Sequence, residues 1–205
     1  MPRGVYQLAG RSEAFSCAPG PAGWRFVSDR LDLACDTGFR PVRFVVTSSG
    51  GQVLRGGGLR LDDGTPVLVW APAGDPAGER TAAAGALLTG SPGAWVSFLR
   101  TVAPPGSAPV SSDVVALEID PDSAAALTVR RRVTRTGAKT HQAPAGTLQV
   151  ETWSVDDLDT GTRRELHLAG DVLVWAAPGP ADGHGDEEIE LIDLEGPPWQ
   201  GPASV

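Results

Sequence analysis

Residues 41–55 read Pro41-Val42-Arg43-Phe44-Val45-Val46-Thr47-Ser48-Ser49-Gly50-Gly51-Gln52-Val53-Leu54-Arg55. A run dominated by Val and Phe enters a Ser-Ser-Gly-Gly stretch and leaves it as a second apolar run. β-Branched and aromatic side chains suit a pleated, half-buried surface. Ser and Gly suit a turn, because glycine reaches left-handed backbone conformations without steric cost. Two strands joined by so short a loop pair antiparallel.

The same pattern extends in both directions. Short Val-, Leu-, Phe-, Trp- and Thr-rich runs at 14–17, 24–28, 31–35, 59–61 and 66–70 are separated by Gly, Pro, Asp and Ser. Later runs lie at 114–119, 126–136, 147–155, 163–168, 171–176 and 187–194. Asp62-Asp63-Gly64 and Asp156-Asp157-Leu158-Asp159-Thr160-Gly161 have the composition of turns. This predicts an all-β fold: an antiparallel sheet strongly curved into a half-barrel or open barrel, with a two-sheet sandwich as second choice.

One segment breaks the pattern. Ser91 suits an N-cap and Pro92 the first helical position, and Trp95, Phe98, Leu99 and Val102 follow at spacings of three and four. Pro104 and Pro105 end the pattern. The spacing predicts a helix over 91–102, packed on the concave face. The alanine-rich stretch 81–88 reads as an earlier helix ended by Gly90.

The 205 residues suit a single β-rich domain over 1–196 with a tail at 197–205. Val67-Leu68-Val69-Trp70-Ala71-Pro72 resembles Val172-Leu173-Val174-Trp175-Ala176-Ala177. This allows duplicated halves, 1–78 and 110–196, around an insert at 79–104, or a chance likeness of two apolar strands. A chain of this length buries about 70% of its unfolded surface, so it needs neither disulfide nor metal to fold.

The formal net charge of −8 disfavours nucleic acid and anionic surfaces as partners. No run of residues is long and apolar enough to span a membrane. Met1–Tyr6 lacks the apolar core of a signal peptide, so the expected location is the cytoplasm, with Cys17 and Cys35 as reduced thiols.

Catalytic patterns are sparse. There is no Gly-x-Ser-x-Gly elbow and no His-Glu-x-x-His. Gly56-Gly57-Gly58 leads into a strand, whereas a phosphate loop needs a helix behind it. The 156–161 loop lacks the twelfth-position Glu of a calcium loop. Asp182-Gly183-His184-Gly185-Asp186 reads as a surface loop and His141 as a solvated loop residue. No catalytic residue, metal or cofactor is expected.

Six tryptophans and arginines within apolar strands carry the remaining interest. The indoles either fill the core or line an apolar cavity for a lipid-like or polycyclic guest. In the second case Trp95, Phe98, Trp153 and Trp175 line the site, and Arg43 or Arg131 meets an anionic head group. Otherwise the two arginines pair with acids or lay their stems along the sheet. Arg130 and Arg132 project to the opposite face and pair with acids such as Glu151 or Glu118.

Leu33-Ala34-Cys35-Asp36 followed by Phe39-Arg40-Pro41-Val42-Arg43-Phe44 resembles the Cys-Asp, Trp-Arg, Arg-Val strand pair of a family of glycolipid-binding proteins, with Phe39 in place of the tryptophan. That family is similar in fold to bacterial lipoprotein carriers, open half-barrels with helices plugging an apolar interior. The resemblance implies non-catalytic binding of a lipid or glycolipid, with Arg43 near the head group. The alternatives are a cofactor-independent cyclase or isomerase using His167, Glu165 and Asp171, and an interaction subunit binding through a strand edge or the Trp199 tail. A homo-oligomer is compatible with all three.

Overall fold

Two antiparallel meanders account for nearly all of the chain. The first runs through β1 (Arg3–Leu8), β2 (Arg11–Gly20), β3 (Gly23–Ser28), β4 (Leu31–Cys35), β5 (Pro41–Thr47), β6 (Val53–Arg60), β7 (Pro66–Pro72) and β8 (Arg80–Ala82). A short strand β9 (Ala86–Leu88) and a helix α1 (Pro92–Val102) follow. The second meander is β10 (Ser111–Ile119), β11 (Ala126–Ala143), β12 (Gly146–Asp157), β13 (Arg163–Ala169), β14 (Val172–Ala176) and β15 (Ile189–Glu195). The structure, a computed structural model, describes residues 1–8, 10–20, 22–104, 108, 110–179 and 188–199.

Among the described residues, fifteen strands form one sheet, in the order β8-β7-β6-β5-β4-β3-β2-β1-β15-β14-β13-β12-β11-β10-β9. The first and last strands pair at its middle, Arg3 opposite Glu195 and Leu8 opposite Ile189. Laid flat, such a sheet is about 67 Å across, at about 4.8 Å per strand spacing. Yet its edges, β8 and β9, are consecutive in the chain, joined by residues 83–85. From Ala82 to Ala86 the backbone reaches no further than about 14 Å. The sheet must therefore curl until its edges approach, and it is strongly curved and unclosed.

The expected curved antiparallel sheet is thus present, with local differences: the runs at 52–55 and 59–61 form the single strand β6, and His141, expected in a loop, lies in β11. The stretch 81–88 is not helical. Thr81 and Ala82 pair with Val69 and Leu68, while Ala86–Leu88 pair in parallel with Ala116–Glu118. A helix this short, interrupted by Gly85, cannot repay its nucleation, whereas the strand buries all of Ala86–Leu88. The parallel pairing follows from α1, the crossover linking β9 to β10. Strand β1 had no sequence signal, because Gly4 and Gln7 interrupt its alternation. It is held by neighbours on both sides.

Helix α1 lies within the curve, touching β4 of the first meander, the short strand β9, and β10 and β14 of the second meander. Ser91 occupies the N-cap position and Pro92 the first turn. The expected apolar stripe is in fact a helix buried all round, from Pro92 through Arg100, as an enclosing sheet requires. Its polar side chains find partners. Ser97 Oγ donates to Phe39 O at 2.8 Å, and Arg100 reaches Gly170 O and Glu151 Oε2. Phe39 adopts a positive φ of 60°, set by a turn in which Asp36 Oδ1 accepts from Gly38 N and Arg40 N.

The helix approaches the sheet closely at Gly93, where an added Cβ would lie 2.2 Å from Phe26 Cγ. Gly93→Ala should therefore destabilise the fold by about 1–3 kcal/mol through overpacking. Gly137→Ala, where the nearest atom is Thr152 Oγ1 at 3.5 Å, should be close to neutral. Urea midpoints of the two variants check this, and equal midpoints would contradict the helix placement.

Candidate functional site

Cross-strand register decides which predicted site residues meet. Trp153 stands opposite Leu166, and Leu166 opposite Ala176, so these three share the concave face. His167 stands opposite Trp175, on the other face. Trp95 and Phe98 come from the enclosed helix and meet edge to face at 6.0 Å. Trp95, Phe98 and Trp153 thus belong to the interior, and Trp175 to the outer surface. Arg43 is also outside, exposed and paired with Asp32 at 3.1 Å.

The interior is crossed by paired charges. Arg131 sits between Glu118 Oε2 at 2.8 Å and Asp157 Oδ2 at 2.5 Å. Glu151 receives Arg100 and lies 3.6 Å from Arg135. Glu118 and Glu151 therefore serve inward-facing arginines. The outward Arg130 and Arg132 pair instead with Asp159 and Asp113, because the β12–β13 turn docks on Arg130 and the register puts Asp113 opposite Arg132. The guanidinium of Arg164 lies 5.0 Å from the Trp95 ring centre and that of Arg100 5.9 Å from Trp153. The space beside Trp95 measures about 30 Å³, one water's share of liquid volume.

On the outer face, His167 Nε2 lies 2.8 Å from Glu165 Oε1, and its Nδ1 lies 3.0 Å from His141 Nδ1. Lys139 also reaches Glu165, and Trp175 Nε1 donates to Glu188. Burial lowers the pKa of both imidazoles, and the His167 contact lowers that of Glu165. Asp171, the third acid–base candidate, is elsewhere. It is buried at the β13–β14 turn, accepting from Trp24 Nε1 at 3.1 Å and Trp199 N at 2.7 Å. The described part of the tail is therefore docked, with the Trp199 ring 6.2 Å from Phe39.

Cys17 and Cys35 are separate, buried free thiols. Burial raises both, Cys35 to about 12, which leaves them unreactive. No group of three metal-ligating side chains occurs among the described residues. The 182–186 loop containing His184 lies outside them.

Among the described residues, a ligand-sized space lies at the unclosed seam. A cleft of about 580 Å³ is lined by Val53, Leu54, Trp70, Ala73, Arg80 and the 123–125 turn. Trp70 stands opposite Gly56 on one side and Arg80 on the other, so the indole and guanidinium share a face. The 123–125 turn comes from the other meander. The β5–β6 turn ties the two together, Ser49 N donating to Pro121 O and Ser49 Oγ to Asp122 Oδ1. The alternation of Leu68 and Trp70 signals an inward indole. No local pattern could have signalled a lining drawn from strands 70 residues apart in sequence.

No family model matches the chain, and no curated protein does. Among solved structures it is similar to a DUF1089 family protein from Pseudomonas aeruginosa, with 14% identity over 87% of this chain and 90% of that one, and a TM-score of 0.46.

A second buried carboxyl, Glu13, accepts from Ser91 Oγ at 2.5 Å ahead of α1. Burial raises its pKa above the ordinary 4.5. Unfolded Glu13 ionises near 4.5 and folded Glu13 only at higher pH. Its contribution is therefore full below 4.5 and is lost as pH rises through the folded value. The stability difference between wild type and Glu13→Gln should shift in favour of the variant as pH rises from 4 toward 8. Urea melts across that range check it, and a constant difference would contradict it.

Proposed function

We propose that the chain binds an amphipathic small molecule without transforming it, and that the seam cleft beside Trp70 receives the apolar part. The observation that carries this reading is the cleft itself. Its volume of about 580 Å³ lies within the range of small-molecule sites, about 300–1,000 Å³. Its walls mix the two kinds of surface, with Val53, Leu54, Trp70 and Pro72 apolar and Gln52, Arg80, Ser123 and the turn backbone polar. The apolar members hold a guest by removing its hydrocarbon from water, while the polar groups fix its orientation.

The sequence resemblance of Leu33–Asp36 and Phe39–Phe44 to glycolipid-binding proteins supports the lipid or glycolipid class. The interior aromatics then act as structure. Trp95, Phe98 and Trp153 brace the helix against the sheet, and the cleft at the seam takes the guest.

The test is a fluorescence titration with an alkyl glucoside below its micelle threshold, with native mass spectrometry to count bound molecules. Wild type should show a saturable change in tryptophan emission. Trp70→Leu should weaken binding about tenfold, the ~1.4 kcal/mol expected from losing part of an indole contact. Ala73→Trp, at an exposed position, should block the cleft while leaving the melting midpoint unchanged. Absence of saturation in wild type, or wild-type affinity in both variants, would sink the reading.

A further inference from the structure

A second and smaller pocket lies across the Ser49–Asp122 bridge from the seam cleft. Its volume is about 170 Å³, and it is lined by Leu8, Arg11, Arg30, Ser49, Gly90, Pro121, Asp122 and Ile189. Arg11 opens β2, and Arg30 belongs to the β3–β4 turn, held by Ser28 Oγ on its backbone N–H. Six chain segments therefore converge on it, which fixes both arginine backbones.

The two guanidinium groups differ from the nine that make ion pairs among the described residues. Arg3, Arg25, Arg43, Arg100, Arg130, Arg131, Arg132, Arg135 and Arg163 all make ion pairs. Arg11 Nε and Arg30 Nη1 are shielded from solvent and have no protein hydrogen-bond partner. The lining's carboxylate, Asp122, already accepts from Ser49 at 2.7 Å, leaving the lining with two cations against one anion. Glu13 lies near Arg11 with one carboxyl oxygen engaged by Ser91 and the other shielded without a partner, and burial raises its pKa, which favours the neutral acid. A guanidinium withdrawn from water without a partner costs free energy that an anion would recover. Planar guanidinium forks match phosphate and carboxylate oxygens.

We propose that this pocket binds a small oxyanion of the phosphate class between the guanidinium groups of Arg11 and Arg30. The site is separate from the seam cleft and does not depend on what occupies that cleft. Its anion comes either from free phosphate or from the phosphate head group of a short-chain lipid.

The experiment measures binding by isothermal titration and melting midpoint, for wild type, Arg11→Met, Arg30→Met and the remote control Arg60→Met. Inorganic phosphate should bind wild type and the control saturably and raise their midpoints. Each pocket variant should lose about tenfold or more in affinity, as expected for one charge-assisted contact. Without phosphate, the pocket variants should melt at or above wild type, because a half-buried cation with a shielded, unpartnered N–H has been removed. With phosphate the order should reverse. A parallel arm uses dihexanoyl phosphatidic acid below its micelle threshold. Tighter binding of the lipid than of phosphate identifies the head group as the source, and the opposite order identifies free phosphate. Absence of saturable binding of either probe, or affinities unchanged in both pocket variants, would overturn the proposal. Because neither Trp70→Leu nor Ala73→Trp touches this pocket, failure here is distinguishable from failure at the seam.

Discussion

The residues between Ala82 and Ala86 constrain the whole molecule. They join the two edges of a fifteen-stranded sheet. Backbone geometry limits how far apart those edges can lie, and strand spacing fixes how much sheet must be bent to bring them together. Curvature here is a consequence of chain connectivity. The pairing of β1 with β15 at the middle of the sheet completes the logic, since it turns two meanders into one surface.

A sheet bent this far encloses a volume that must be filled, and α1 fills it. That explains why the helix is buried on every side and why Gly93 must lack a side chain where Phe26 presses on it. Enclosure also explains the charge network. Arg100, Arg131 and Arg135 point into the curve and are each matched with Glu118, Glu151 or Asp157. A buried cation without its acid would destabilise the interior by several kcal/mol.

The open spaces follow from the same geometry. Where sheet and helix pack, the room left beside Trp95 is the size of a water. Space of ligand size remains where the sheet stops, at the seam and at the end where turns from both meanders meet. The Ser49–Asp122 contact separates the cleft beside Trp70 on one side from the pocket of Arg11 and Arg30 on the other.

The hairpin at 41–55, the alternation of inward and outward side chains, the helix beginning at Ser91 and the curved all-β class were legible in the sequence, because each depends on residues near one another in the chain. Pairing of Arg131 with an acid was legible as one of two options. Placing Trp175 outside and Trp153 inside needed the register of β12, β13 and β14, which no single strand reveals. Residues 81–88 misled because alanine propensity is weak beside the burial that β9 gains on β10. The clefts were beyond reach for a related reason. Their walls come from segments far apart in sequence, so only the folding of one edge of the sheet toward the other brings Trp70 to the 123–125 turn and Arg11 to Arg30.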